Sequence, residues 1–347
     1  MAKYFFWPLV VTFTGLVLSF ILGWRMGGTS SEALSFLLVA TVLAILEISL
    51  SFDNAVVNAN RLKTMDPVWQ RRFLTWGILI AVFGMRLVFP LAIVSIAANV
   101  GPFSALHLAL VDPDRYQNIM HDSHLGIAAF GGTFLMMVAL NYFVDHEKDI
   151  HWIPRLERPL CKCAAIKGLE IGMVLAVIML FVHLLPDAEA STFLYSAICG
   201  LVVFLAVDCL SSVLDSKAAS DMAAKGGLGA FLYLEVLDAS FSFDGVIGAF
   251  ALTQNLLLIL IGLGIGAMYV RSMTIMLVEK ETLAQFRFLE HGAFYSILAL
   301  SVIMFAQSLV HIPEVITGLI GATLIGISLW SSIRYRRMNP GVETAAE

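Results

Sequence analysis

The chain has 347 residues, 59% of them hydrophobic and 14% charged, with a mean hydropathy of +0.87 and a formal net charge of −5. Soluble domains run at about 45–50% apolar and about 25% charged. A soluble globular fold is therefore excluded, and a bilayer must solvate much of the surface.

A helix needs about 20 apolar residues to cross a bilayer. Ten windows qualify, at about 4–24, 34–60, 73–98, 125–144, 167–185, 192–213, 227–252, 255–278, 292–310 and 313–333. The first, Tyr4 to Trp24, is too long for a signal h-region and lacks a small-residue cleavage site after it. It reads as a retained helix. The second window carries Glu47, Ser51, Asp53, Asn54 and Asn58, and the third carries Arg86. Residues 99–124 form a polar stretch read as a loop, with His107, Asp112, Asp114, His121, Asp122 and His124. A second polar stretch, 145–166, holds Cys161-x-Cys163; two thiolates make half a soft-metal site, and free thiols are the simpler reading. Glu170 and Asp208 lie on the fifth and sixth windows. Glu235, Asp238, Ser242 and Asp244 lie on the seventh, and Arg271 on the eighth. His291 opens the ninth and Glu314 the tenth.

Lys and Arg concentrate in cytoplasmic loops. With the N-terminus inside and the windows alternating, 17 of the 21 basic residues fall inside. Only Arg25 and Arg115 fall outside, while Arg86 and Arg271 lie within helices. The expectation is an all-α integral membrane protein of about ten spans, both termini in the cytoplasm.

The second and seventh windows share a motif. Glu47-Ile-Ser-Leu-Ser-Phe-Asp53 and Asp238-Ala-Ser-Phe-Ser-Phe-Asp244 both read acid-x-Ser-x-Ser-Phe-Asp, offset by 191 residues. Each is followed by a span with one arginine and then by a histidine, His124 or His291, at the next span. The motifs lie five spans apart, so they run in opposite directions. This is the pattern of an inverted repeat, which in transporters puts the substrate near the midplane at the repeat interface. The expected units are 1–185 and 192–333, each of five spans, with a cytoplasmic tail over 334–347.

A charge at the bilayer centre costs about 2.5–3.5 kcal/mol on the insertion scale. Glu47, Asp53, Asp238 and Asp244 unpaired would cost on the order of 10–14 kcal/mol. Arg86 and Arg271 neutralise two of the four and leave a formal −2, which one divalent cation or protons would balance. On a straight helix Glu47, Ser51, Asn54 and Asn58 fall within about 60° of one another, and Asp53 lies about 120° away. Glu235, Asp238 and Ser242 likewise share a face that omits Asp244. Either each helix faces two neighbours, or it unwinds near Ser-Phe-Asp and turns the second acid inward, which Gly245 would ease on the seventh window. The metal-binding set is Glu47, Ser51, Asp53, Asn54, Asp238, Ser242 and Asp244, with Glu235, Asn58, Arg86 and Arg271 as further members. Apart from the two arginines, which would hold carboxylates when no metal is bound, these are oxygen donors, suited to Mn²⁺, Mg²⁺ or Ca²⁺ rather than Zn²⁺ or Cu⁺. No tightly bound cofactor is expected. No GxxxxGK[ST] loop is present, so no ATP site is visible. Nucleic acid is not an expected partner, and the oligomeric state is open.

Glu47-x-x-x-Ser51-x-Asp53-Asn54 and Asp238-x-x-x-Ser242-x-Asp244 resemble the paired motifs of the TerC-like integral membrane family, within the lysine-exporter-type transporter superfamily. Glu290-His291-Gly292-Ala293-Phe294 looks like a TerC-related branch labelled only as a domain of unknown function. The resemblance covers about residues 34–333. It implies export of a divalent metal, chiefly manganese, across a bacterial cytoplasmic membrane, with some relatives tied to tellurite resistance. Gly245 departs from it, standing where the family pattern has serine, and Glu235 adds a carboxylate one turn before Asp238. Two readings compete with transport. A membrane stress or assembly factor would not need Glu47 to be acidic. An intramembrane aspartyl protease also needs two acids, but no Gly-x-Gly-Asp occurs.

Overall fold

The computed structural model describes residues 2–97, 99–145, 148, 150–163, 166, 168–218, 227–253, 255–280, 286–310, 312 and 314–338. Lys225 and tail residues 339–347 lie outside them. Every regular element among the described residues is helical. Among the described residues six helices are long and apolar enough to cross a membrane: Lys3–Gly27, Ser30–Ser49, His124–Phe143, Asp187–Leu210, Leu256–Glu279 and Leu289–Gln307. The chain is thus a helical, multi-pass membrane protein.

The first two helices, α1 (Ala2–Gly27) and α2 (Ser30–Leu50), meet at a tight turn. Gly28 takes φ +69, which glycine adopts without strain, and Thr29 caps α2 through the Glu32 amide. The second window is broken: α2 ends at Leu50, Ser51 leaves helical geometry (φ −103, ψ 13), and α3 runs Phe52–Lys63. The third window begins earlier than expected, at α4 (Pro67–Leu79), because Asp66 caps the helix and Pro67 pre-sets its first turn. It widens into a π-helical segment, Ile80–Val88, and resumes as α5 (Phe89–Ala97). Arg86 sits in that π segment, a geometry common at functional sites.

The stretch 99–124 is not a plain loop. It forms α6 (Pro102–Val111) and α7 (Pro113–Asp122), which bury Ala105, Ala109, Tyr116 and Met120 against the membrane helices. Proline at the start of each and the Asp112 cap on the Arg115 amide explain why helices form there. Next come α8 (His124–Phe143), the short α9 (Pro154–Cys163) within the second polar stretch, and α10 (Leu169–Leu184). The remainder are α11 (Asp187–Ala218), α12 (Leu228–Leu252), α13 (Leu256–Glu279), α14 (Leu289–Gln307) and α15 (Glu314–Met338). The seventh window is continuous: α12 passes through Gly245 without a break.

The largest apolar core lies between α3, α8, α11, α12 and α14, around Phe134, Phe193 and Phe305. Some helix contacts recur between the first and second halves of the chain. The α1 helix lies on α2 as α11 lies on α12, and α2 with α3 lies on α13 as α12 lies on the α4–α5 span. Likewise α3 meets α14 as α12 meets α8, and α14 meets α15 as α8 meets α10. The match fails at the outer helices: α1 packs on α13, whereas α11 packs chiefly on α8.

Candidate functional site

Close approach of α2 to α13 builds the site. At Gly262 an added Cβ would lie 2.6 Å from Leu43 Cβ, and at Gly266 it would lie 2.4 Å from Glu47 Cβ. Only glycine at these two positions lets the backbones meet. Glu47 is thereby buried to 2% exposure. Its Oε1 accepts from Ser51 Oγ at 2.7 Å and from Arg86 Nη2. A Cβ at Gly245 would stand 3.1 Å from Glu47 Oε2. Gly245 therefore leaves room for the Glu47 carboxylate instead of opening α12.

From α12, Asp238 approaches α3. Its Oδ1 accepts from Asn54 Nδ2 at 2.5 Å and from Asn58 Nδ2 at 3.2 Å. With both amide nitrogens turned to Asp238, Asn54 Oδ1 and Asn58 Oδ1 are buried with no hydrogen-bond donor. Buried polar atoms nearly always have a partner, so two such oxygens on one wall mark a place for a donor or a cation.

These groups line one cavity of about 30 Å³, with Glu47, Ser51, Asn54 and Asn58 on one side and Asp238, Arg86, Arg271 and Thr274 facing them. A water-sized probe needs about 10–15 Å³, so the space fits a water or a small ion. The stripe expected on the second window is the wall of this cavity. Arg271 donates to the Phe73 carbonyl and stacks on the Phe73 ring at 4.6 Å. It is not paired the way Arg86 is. Glu235 lies behind it, near Gly77, with Oε1 buried and unpartnered.

Asp53 stands apart. The break at Ser51 does not turn it into the cavity. Its Oδ2 accepts from Ser296 Oγ of α14 at 2.8 Å, its Oδ1 from the Asn54 amide at 2.8 Å, and Gly321 of α15 gives it space. The α3 helix thus faces two neighbours with two polar faces, Asn54 and Asn58 toward α12 and Asp53 toward α14. The side chains of Ser242, Asp244, Glu314 and Cys163 lie outside those described. Among the described side chains, two carboxylates and two guanidinium groups line the cavity.

Thr274, Gly77, Gly262 and Gly266 escaped the sequence reading, although Gly262-x-x-x-Gly266 is a visible close-packing signal one turn before Arg271. His291, at the start of α14, is 3% exposed, with Nε2 2.7 Å from the Ile150 carbonyl and Nδ1 3.2 Å from Tyr142 Oη. Asp208 on α11 is exposed, and no group of His, Cys, Asp and Glu among the described residues is arranged to hold a metal without other donors. Any cation in the cavity must rely on amide and hydroxyl oxygens as well.

No curated protein and no solved structure matches the chain. A family model described as "Protein of unknown function (DUF475)" matches residues 52–339, which takes in Asn54, Asn58, Arg86, Asp238 and Arg271 and leaves Glu47 and Ser51 just outside. That match spans most of the chain, which therefore belongs to the DUF475 family.

Proposed function

We propose that this protein is a secondary transporter that exports a divalent cation, most readily Mn²⁺, from the bacterial cytoplasm through the Glu47–Asp238 cavity. The observation that carries the reading is the pair of buried, donor-less amide oxygens of Asn54 and Asn58 beside the Asp238 carboxylate. With Glu47, Ser51 and Thr274 they form an all-oxygen set, which suits hard cations. Arg86 holds Glu47 Oε1, so cation and guanidinium compete for this carboxylate. Arriving charge releases Arg86, and departing charge restores the pair. Such exchange avoids leaving a bare carboxylate in the membrane, which is costly. The broken α2–α3 helix and the π segment are the adjustable parts. A proteolytic reading has less support, since Glu47 is bound to Arg86 and Asp238 to two amides.

The test is metal content and flux. Purified protein dialysed against equal Mn²⁺, Ca²⁺, Mg²⁺ and Zn²⁺ should retain Mn²⁺ at about one ion per chain by mass spectrometry. Proteoliposomes should move ⁵⁴Mn²⁺. No retained metal together with no flux sinks the transport reading.

Ten spans with both termini in the cytoplasm, and the inverted relation of 1–185 to 192–333, form part of the same proposal. The basic asymmetry supports it. The four windows beyond the six clear spans are also helical: α4–α5, α10, α12 and α15. Reporter fusions after Thr64 and Arg155 should read cytoplasm, and those after Asp112 and Ala188 the outside. A fusion after Thr64 that reads outside overturns the orientation.

A further inference from the structure

The α9 helix is docked on the membrane helices through a buried carboxylate. Glu157 of α9 is 0% exposed. Its Oε1 accepts from the Ile153 amide at 2.9 Å, and from the Trp152 amide and Tyr295 Oη at 3.2 Å each. Its Oε2 lies 3.2 Å from Lys148 Nζ, 3.4 Å from His151 and 3.5 Å from His291. Lys148 also stands over the Tyr142 and Phe143 rings. Burial alone would raise the Glu157 carboxyl, but the Ile153 amide and the Lys148 charge outweigh it and hold the group below its ordinary value. It is ionised and consumed by this inward hub.

This has a consequence for the opposite face of α9. At about 100° per residue, Glu157, Leu160 and Cys161 point inward, while Arg155, Arg158 and Lys162 fall within an arc of about 60° on the other side. All three basic residues are exposed. Because Glu157 is the helix's one acid, that outer arc carries three positive charges and no negative one. On the flank between this arc and the packed side, Leu156 is an exposed apolar residue, as are Ile153 just before the helix and Ile166 just beyond it. A basic stripe with an apolar edge is the pattern of a helix that lies in the membrane interface.

The tethers put it there. Only five residues separate Cys163 from Leu169, where α10 begins, so α9 ends within about 20 Å of a membrane helix. We propose that the outer face of α9, through Arg155, Arg158 and Lys162, binds the headgroups of anionic phospholipids of the surrounding bilayer. Three basic side chains at the surface supply the attraction, and Ile153 and Leu156 seat the helix at the headgroup boundary. The claim requires only that the chain is a membrane protein and is independent of what it transports.

The test uses full-length protein in vesicles carrying a trace of a headgroup-photoactivatable phospholipid, either phosphatidylglycerol or phosphatidylcholine. Crosslinked peptides spanning 153–163 are quantified by mass spectrometry. The anionic probe should label this peptide about tenfold more than the zwitterionic one, and the Arg155→Gln/Arg158→Gln/Lys162→Gln variant should label equally with both. All three side chains are exposed, so the variant keeps its fold; retained labelling of α8 peptides checks this. Equal labelling by both probes in the wild type overturns the proposal, as does an anionic preference that survives in the variant. Loss of labelling on adding inorganic phosphate would also overturn it, by assigning the face to a soluble anion.

Discussion

Asp238→Asn should weaken Mn²⁺ binding by about a hundredfold or more, roughly 2.7 kcal/mol, and abolish flux while leaving membrane abundance near normal. The change removes one charge and almost no volume. It also leaves the Asn54 and Asn58 amides without the carboxylate that orients them. Glu47→Gln should match it in flux with a different signature. It removes the carboxylate of a buried ion pair with Arg86, and breaking such a pair from one side is strongly destabilising. Its thermal midpoint should fall, and pairing it with Arg86→Gln should restore stability without restoring flux. Asp53→Asn separates the faces of α3: it should spare Mn²⁺ binding and loosen α3 from α14, because its partner is Ser296. Binding titrations on purified protein decide this. Wild-type affinity in Asp238→Asn would remove the cavity from the transport path.

Gly266→Leu should be the most damaging substitution of an apolar position. A Cβ alone would lie 2.4 Å from Glu47 Cβ and 3.0 Å from the Ala44 carbonyl oxygen, which belongs to helix backbone and has little freedom to move. The α2 and α13 helices must separate, and overpacking of this kind costs about 1–3 kcal/mol or more. We expect a lower thermal midpoint in detergent and loss of flux together, since the displaced residue is Glu47 itself. Gly266→Ala should show the same direction with a smaller drop. Gly326→Ala on α15 meets no atom within 4 Å and should leave both measurements unchanged. Equal behaviour of Gly266→Leu and Gly326→Ala would show that close approach of α2 and α13 does not set the site.

The membrane class followed from composition, and the helices followed from window length, because a chain with 59% hydrophobic residues has few other ways to satisfy its backbone. The Glu47, Ser51, Asn54 and Asn58 stripe was readable for a similar reason: positions on one helix are fixed by local geometry of about 100° per residue. The same rule set Asp53 off that stripe, and the structure gives it a different neighbour. Local signals also stopped short in places. Residues 99–124 look polar enough for a loop, yet Pro102, Pro113 and the Asp112 cap start two helices there. Gly245 suggested a break in α12, but a glycine reports equally on space, and here the space is used by Glu47.

Sequence by itself thus determined which residues bear charge in the membrane and which of them share a helix face. Tertiary structure decided which faces meet. Pairing Glu47 with Arg86 rather than Arg271, setting Asp238 against two asparagines, and bringing Glu157 against His291 all join residues 39 to 184 positions apart. Such contacts depend on how helices pack, and packing is set by small residues such as Gly262 and Gly266, whose effect lies in the space they leave for another helix.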